Sequence, residues 1–448
     1  MRKKIVRLIT YFLLIGLALT GIACSKVENE APANGSETTA EGNAAAEVKD
    51  LPKAQFETLK EGEEYHIGVV TGTVSQSEDE FRAAEAAIEE FGSDVVKNDT
   101  YPDRFEAEIE TTIQKITAMA DDPLMKAVIM NQSVPGTSAA FQKIREKRPD
   151  IILVNLTPQE DVIMVEGASD LVIDVDNVSR GYRVIKAAKD MGATKFAHIT
   201  FPRHMSIEML ALRRAIFEEA CKDLGLEFIS LNAPDPTTDI GIPGAQQYIA
   251  ENIQSWIDKY GKDTAFFCTN DAHTEPLLRG VAQGGAIFVE PDLPSPIMGY
   301  PNAFSVDLKD IAGDWKAINQ RVNDAVVAAG GGGRMGSWAY SLGYTETRAA
   351  VDHVIKVLHG EHELTNINDI TESLNKYTEG ASWMSSNFID RQNGNAVDNH
   401  VLIAQDTYVY GKGFLGMDKV EVPEKYLNLN VDFEAIEKSQ EEAEGQAE

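Results

Sequence analysis

Residues 66–91 read HIGVVTGTVSQSEDEFRAAEAAIEEF, and this stretch sets a pattern that the rest of the chain repeats. It begins with a short run rich in valine and isoleucine at 66–71, which is typical of a strand buried inside a sheet. Apolar side chains then recur at spacings of three and four, at Phe81, Ala84, Ile88 and Phe91. A strand followed by a helix with one apolar face predicts the start of a βαβ unit, and hence a parallel sheet.

The same alternation continues to residue 176 and then starts again. Further apolar runs occur in the first part at 127–130, 151–154 and 171–175, and in the second part at 195–200, 227–231, 264–268, 286–289 and 296–300. We therefore predict an α/β fold of two doubly wound parallel-sheet (Rossmann-like) lobes joined by a hinge. Lobe 1 is expected at 61–176 plus about 301–340, and lobe 2 at 177–300 plus about 341–432.

The N-terminus has the features of an export signal. Four basic residues among the first seven precede an apolar run from Leu8 to about Leu19, which is too short to span a membrane. Ala23 and Cys24 then resemble a bacterial lipoprotein processing site. We predict a signal peptide at 1–23, a lipidated Cys24 carrying palmitate, and a disordered tether at 24–60. The acidic segment 433–448 is expected to be a disordered tail.

Composition excludes several classes of protein. The chain has 448 residues, of which 43% are apolar, so it can build cores and is not disordered as a whole. Its 41 Lys and Arg residues face 71 Asp and Glu residues, giving a net charge of −30, so nucleic acid is not an expected partner. Loss of the signal peptide removes four basic residues and leaves −34. Membrane attachment must then come from the lipid anchor rather than from attraction to anionic lipid.

Four motifs in the middle of the chain are similar to landmarks of type I periplasmic binding proteins. They are 176–181 (DNVSRG), 192–199 (GATKFAHI), Arg213 and 267–271 (FCTND). More narrowly, the chain resembles a family of uncharacterised bacterial lipoproteins described as a domain of unknown function. The resemblance implies a ligand site between two lobes. Residues 155–157 are Asn-Leu-Thr where sugar binders of this superfamily often have an Asp-Arg pair, which disfavours a pentose or hexose.

Ligands of open parallel sheets bind beyond the carboxyl ends of the strands, so the loops there supply the candidate residues. Amides, hydroxyls, carboxylates and aromatic faces in these loops suit a small polar metabolite such as a sugar, a nucleoside or a similar molecule. The candidate ligand-binding residues are Thr73, Ser75, Gln76, Tyr101, Asn131, Asn155, Arg203, Arg213, Asn270, Asp271, Asn302 and Trp338. The alternatives are that Asn and Asp residues after strands form turns or helix caps, and that Trp338 packs in a core or between the lobes.

The sequence does not support phosphate binding, metal binding or catalysis. The run Gly330–Gly333 lacks the ending of a phosphate-binding loop, and His359 and His362 have no zinc-site spacing. Cys221 and Cys268 are either buried free thiols or a disulfide. We therefore expect no catalytic residue, no metal and no cofactor.

The sequence thus predicts a membrane-anchored extracellular solute-binding protein that captures a small polar ligand in an inter-lobe cleft for uptake by an ABC transporter permease. The first alternative is a ligand-sensing lipoprotein that feeds a signalling receptor. The second is an extracellular enzyme built on the same fold.

Overall fold

The computed structural model of the protein describes residues 51–429, 431–433 and 435–436. The predicted signal peptide, Cys24, most of the predicted tether and most of the predicted acidic tail lie outside the described residues. None of the helices within these ranges combines the length and the apolar character needed to cross a membrane.

Lobe 1 begins with five strands that alternate with four helices. Their bounds are β1 His66–Thr71, α1 Val74–Phe91, β2 Val96–Thr100, α2 Ile109–Met119, β3 Met125–Asn131, α3 Thr137–Lys147, β4 Ile152–Leu156, α4 Val162–Ala168 and β5 Leu171–Val175. All five strands are parallel, in the order β2-β1-β3-β4-β5. Apolar clusters cover both faces of the sheet, which explains why the strands are apolar runs rather than alternating patterns.

Lobe 2 repeats this arrangement. Its bounds are α5 Asn177–Asp190, β6 Lys195–Thr200, α6 Pro202–Met205, α7 Glu208–Leu224, β7 Glu227–Asn232, α8 Gly241–Tyr260, β8 Thr264–Cys268, α9 Asp271–Gly284, β9 Ile287–Phe288, α10 Tyr300–Phe304, α11 Trp315–Ala328 and β10 Gly336–Ser337. Strands β7, β6, β8 and β9 form a parallel sheet in that order. Cys221 and Cys268 are free thiols buried in this lobe.

The chain then returns to each lobe once more. The remaining elements are α12 Leu342–Leu358, α13 Ile367–Lys376, β11 Trp383–Ile389, β12 Ala396–Gln405, β13 Tyr408–Val409, β14 Gly413–Phe414 and α14 Glu424–Leu427. Strand β12 pairs in parallel with β5, and β11 pairs antiparallel with β12 at the edge of the lobe 1 sheet. Strands β13 and β14 join β10 in a small antiparallel sheet.

The two-lobe α/β architecture predicted from the sequence is confirmed, but the C-terminal segments belong to the opposite lobes. Residues 301–340 were expected in lobe 1, but helix α11 packs Val322 and Val326 into the lobe 2 core, and only its start, at Trp315 and Ile318, contacts lobe 1. Helix α12 packs on α1, and β12 extends the lobe 1 sheet, although 341–432 was expected in lobe 2. Only residues from about 408 onward return to lobe 2, where Met417 and Tyr426 join the core.

Two other boundaries differ from the sequence predictions. Residues 51–60, expected in the tether, lie against lobe 1: the Leu51 amide donates to Gly167 O at 2.9 Å, and the Leu59 amide to Leu358 O at 2.8 Å. The predicted strand at 296–300 is wrong, because Gly299 has a φ of 75° and a short helix follows at α10. Phe433, the first residue of the predicted tail, packs against the lobe 2 core.

Within the described chain, the two lobes are joined by three crossings, near Asp176, at 338–341 and at 405–407. A buried ion pair lies where they meet. Arg180 Nε donates to Glu290 Oε1 at 2.8 Å, and both side chains are at most 3% exposed. The hydroxyl of Thr407, on the third crossing, donates to the other Glu290 oxygen at 3.2 Å. The guanidinium of Arg180 also lies 5.5 Å from the ring of Trp338, on the second crossing.

We expect Glu290→Ala to destabilise the protein by about 3–5 kcal/mol, because it leaves the Arg180 charge buried without its carboxylate. Urea unfolding followed by tryptophan fluorescence measures the loss. The control is Asp310→Ala, which removes an exposed ion pair with Arg321 and should leave the unfolding midpoint unchanged. Equal, small effects of the two substitutions would show that the buried pair does not hold the hinge.

Candidate functional site

A cleft of about 340 Å³ lies between the two lobes, at the carboxyl ends of their parallel strands. This is where ligands bind in open α/β sheets, because the loops and helix N-termini there present free polar groups. The structure brings eight of the predicted residues together in its wall: Ser75, Gln76, Tyr101, Arg203, Arg213, Asn270, Asp271 and Asn302.

Helices that start at the cleft explain why several of these residues lie there. Asn270 caps α9, since its side-chain oxygen accepts from the Ala272 amide at 2.9 Å. Thr73 caps α1 in the same way, accepting from the Ser75 amide at 3.2 Å. Its hydroxyl donates to Asp103, so Thr73 positions the helix and is not in the cleft wall. The helix-cap alternative therefore holds for both residues, although Asn270 still lines the cleft.

Asn131, Asn155 and Trp338 do not line the cleft, and we remove them from the candidate set. The Asn131 amide donates to Val70 O at 3.3 Å, and its oxygen accepts from Thr347 at 2.5 Å. Asn155 is likewise fully buried between hydroxyls of its own lobe. Trp338 is 1% exposed and packs edge-on against Trp383, so its packing alternative is the one observed.

The loops containing these asparagines do reach the cleft, but through different residues. Gln132 and Thr157 line it, and each is the first residue beyond the end of its strand, whereas Asn131 and Asn155 lie within β3 and β4. Both residues have a positive φ, 56° for Gln132 and 44° for Thr157, in the region that side chains other than glycine rarely adopt. Gln132 Nε2 donates to Ser77 Oγ at 2.8 Å and to Glu80 Oε1 at 2.9 Å. Strained backbone held by such bonds is concentrated at binding sites.

The two arginines of the cleft are already engaged by carboxylates. Arg203 donates to Asp235 through Nε at 2.6 Å and through Nη2 at 3.2 Å. Its Nη1 also lies 3.7 Å from Glu106 of lobe 1, an ion pair between the lobes. Arg213 donates to Asp292 and to Asn177 and stacks its guanidinium on aromatic rings. Both terminal nitrogens of Arg213 are thus bonded to protein side chains.

A group of buried carboxyls borders the cleft, and the sequence analysis did not identify most of it. Burial raises the pKa of Asp79 to about 6. Burial, together with the neighbouring Asp79, raises the pKa of Glu80 to about 7. Burial also raises the pKa of Asp174 to about 6 and that of Asp271 well above its ordinary value. Carboxyls with a raised pKa are common at functional sites, where a group that the function requires is kept although its burial lowers the stability of the fold.

The described residues contain no group of three or more His, Cys, Asp or Glu side chains arranged to hold a metal ion. His353 and His362 approach within 3.0 Å through their Nδ1 atoms, but far from the cleft wall, near the end of α12. What the cleft offers is therefore hydrogen bonding and charge, together with apolar side chains from both lobes, such as Phe105 and Leu210.

Two parallel-sheet lobes, three crossings and a cleft at the carboxyl ends of the strands form a fold like that of type I periplasmic binding proteins. The chain belongs to the family described as "Protein of unknown function (DUF3798)", whose model matches residues 65–336. A second family model matches residues 347–429. The narrower family suggested by the motifs is thus confirmed.

Two relatives are uncharacterised proteins of Treponema pallidum (strain Nichols). One is 38% identical over 212 residues, which is 47% of this chain and 96% of that protein. The other is 40% identical over 180 residues, covering 39% of this chain and 81% of that protein.

Solved structures share the fold at low identity. The chain is similar to a candidate transcriptional regulator from Clostridium difficile 630, with a TM-score of 0.65 and 22% identity over 78% of this chain and 99% of that chain. It is also similar to an ABC transporter periplasmic solute binding protein from Actinobacillus succinogenes 130z with bound D-allose. There the TM-score is 0.45 and the identity 14%, over 67% of this chain and 93% of that chain.

We expect Glu80→Gln to stabilise the protein at high pH and not at low pH. The raised pKa means that Glu80 keeps its proton longer in the folded state, so its contribution to stability is lost as pH rises from about 4.5 to 7. Glutamine cannot ionise, so the variant should gain roughly 2–3 kcal/mol over the parent at pH 8 and nothing at pH 4.

Urea unfolding at the two pH values measures this difference. Glu89→Gln, on the exposed face of the same helix, is the control and should show the same difference from the parent at both. A gain that does not depend on pH would contradict the assignment of Glu80 as a carboxyl whose ionisation is disfavoured by burial.

Proposed function

We propose that the protein is a membrane-anchored extracellular solute-binding protein, which captures a small polar ligand in the inter-lobe cleft and delivers it to an ABC transporter permease. The observation that carries the proposal is the cleft itself. Polar side chains from both lobes converge there, with Gln76 and Gln132 on one side and Asn270 and Gln246 on the other. A ligand that bonds to both walls stabilises the closed arrangement of the lobes.

The hinge and the cleft mouth support this mode of action. The short crossings let the lobes rotate as rigid bodies, because each lobe has a core of its own. Arg203 of lobe 2 approaches Glu106 of lobe 1 at 3.7 Å, a contact that bridges the two lobes.

Of the twelve ligand-binding residues predicted from the sequence, we propose the eight that line the cleft: Ser75, Gln76, Tyr101, Arg203, Arg213, Asn270, Asp271 and Asn302. The structure leads us to add Asp79, Gln132, Thr157 and Gln159, whose side chains line the same cleft. Arg213 shapes the wall of the cleft, because it donates hydrogen bonds to Asp292 and Asn177.

We expect Ser75→Trp to abolish ligand binding without unfolding the protein. Ser75 is exposed on the first turn of α1 and faces the cleft, so an indole there fills the space that a ligand needs. Thermal shift with a panel of sugars, nucleosides, amino acids and amines is the measurement, together with mass spectrometry of any molecule released on denaturation.

The matched control is Glu89→Trp, which places the same side chain on the exposed face of the same helix and should leave binding unchanged. If no panel member stabilises the parent protein and no molecule is released from it, the binding function is contradicted. Chemical conversion of a bound molecule during incubation would instead favour an enzyme.

We expect Cys24→Ser to prevent lipid attachment and to release the protein from membranes, because serine has no thiol to acylate. Labelling with radioactive palmitate in a bacterial host, followed by fractionation, measures both effects. Cys221→Ser is the control, since its buried thiol lies in the lobe 2 core. Unchanged labelling of the Cys24 variant would disprove the anchor.

A further inference from the structure

Among the described residues that line the cleft, acidic side chains outnumber basic ones. Its wall contains six carboxylates and two arginines among the described residues: Glu78, Asp79, Asp174, Asp271, Glu275, Asp292, Arg203 and Arg213. Arg213 pairs with Asp292, and Arg203 pairs with Asp235. Glu78 and Glu275 are paired outside the cleft, with Arg82 and Arg279. After these pairs are formed, Asp79, Asp174 and Asp271 remain, and the described part of the wall offers no further Lys or Arg to pair with them.

The unpaired carboxylates come from opposite walls. Asp79, on α1 of lobe 1, is 5% exposed and accepts only from hydroxyls, one of them that of Ser341. Asp271, the first residue of α9 in lobe 2, has a buried Oδ1 for which the described chain supplies no hydrogen-bond partner. The two are close enough that the charge of Asp79 contributes to raising the pKa of Asp271, after burial and the charges of Asp292 and Glu80.

Asp79 is buried and Asp271 has a buried oxygen, so without a cation the ionised form of each is disfavoured, which is why the pKa of each is raised, and a neutral ligand would not remove that penalty. A positively charged group between them would, because it supplies the missing charge, and an amino or guanidino group also supplies the N–H donors that the free oxygens lack. The third carboxylate, Asp174, has His400 as its neighbour at 4.0 Å and is therefore not counted with this pair.

We infer that the cleft selects an organic cation, a small molecule with an amino, guanidino or quaternary ammonium group that is held between Asp79 and Asp271. This inference rests on the proposed function and names its ligand class. The remaining wall explains why the cation is organic. Apolar side chains such as Ile207, Leu293 and Ile297 line the same cleft and suit a hydrocarbon body. The described residues also provide no cluster of metal ligands there.

The test measures binding of three cations and their neutral counterparts by isothermal titration calorimetry: putrescine with butanediol, arginine with citrulline, and choline with dimethylbutanol. Glucose, ribose and adenosine serve as uncharged polar probes. The molecule released from the purified protein on denaturation is identified by mass spectrometry and added as a further probe. We expect at least one cation to bind and its neutral counterpart to bind at least 30-fold more weakly.

Asp271→Asn separates charge from hydrogen bonding, because asparagine keeps an acceptor oxygen and removes the charge. We expect it to weaken cation binding by roughly 30-fold or more and to leave the unfolding temperature of the unliganded protein equal or higher. Glu275→Gln is the matched control. It removes a carboxylate from the same wall, but one that Arg279 already neutralises, so affinity should change less than threefold.

The outcomes distinguish this inference from the proposed function. Tight binding of a sugar, a nucleoside or an anion, unaffected by Asp271→Asn, would overturn the cation assignment and leave the solute-binding function standing. Absence of binding by every probe, with no molecule released from the protein, would overturn both. If both the Asp271 and the Glu275 variant weakened cation binding equally, the cation would be attracted by the acidic wall as a whole. That result would also overturn the assignment to Asp79 and Asp271.

Discussion

The two-lobe structure depends on the ion pair between Arg180 and Glu290. These charges are buried where the chain passes between the lobes, and a buried ion is tolerated only when its partners are in place. Glu290 accepts from Arg180 and from Thr407, while a second Arg180 nitrogen donates to Pro291 O at 3.1 Å. The pair therefore joins the start of lobe 2, the loop that borders the cleft and the last crossing. This arrangement restricts where the three crossings can lie relative to one another.

The cleft follows from that constraint. Because the lobes are joined along one side, the carboxyl ends of their strands face each other, and the loops after β1, β3, β4 and β8 meet in one space. The sheets themselves are held by ordinary apolar packing on both faces. Stability is thus supplied by the cores, while the cleft keeps features that reduce it: buried carboxyls and backbone at positive φ at Gln132 and Thr157. Such a division between scaffold and site is usual in binding proteins.

Prediction from the sequence succeeded where the signal is local. The periodicity of 66–91 and its repeats predicted strands and helices, and therefore the fold class. It failed for the position of helix α12, because an amphipathic helix can cover either sheet and its apolar stripe does not say which. The polar edge strand β2 was also missed, since the sequence Val-Lys-Asn-Asp-Thr lacks the apolar run of a central strand. In the site, Gln132 and Thr157 line the cleft instead of Asn131 and Asn155. The two asparagines lie within β3 and β4 and bond to groups inside lobe 1, and these long-range contacts are not visible in the order of the residues.

The sequence by itself determined the class of fold, the strand ends at which a site can form, and the acidic character of the chain. These properties depend on periodicity and composition, which can be read directly from the order and the types of the residues. The tertiary structure alone decided which C-terminal elements complete each lobe. It also decided that Arg213 pairs with Asp292, and that Asp79 and Asp271 line one cleft without a cationic partner among the described residues. Those outcomes depend on distances between residues far apart in sequence. Pairing between charges is set by such distances, so it could not be predicted from the order of the residues.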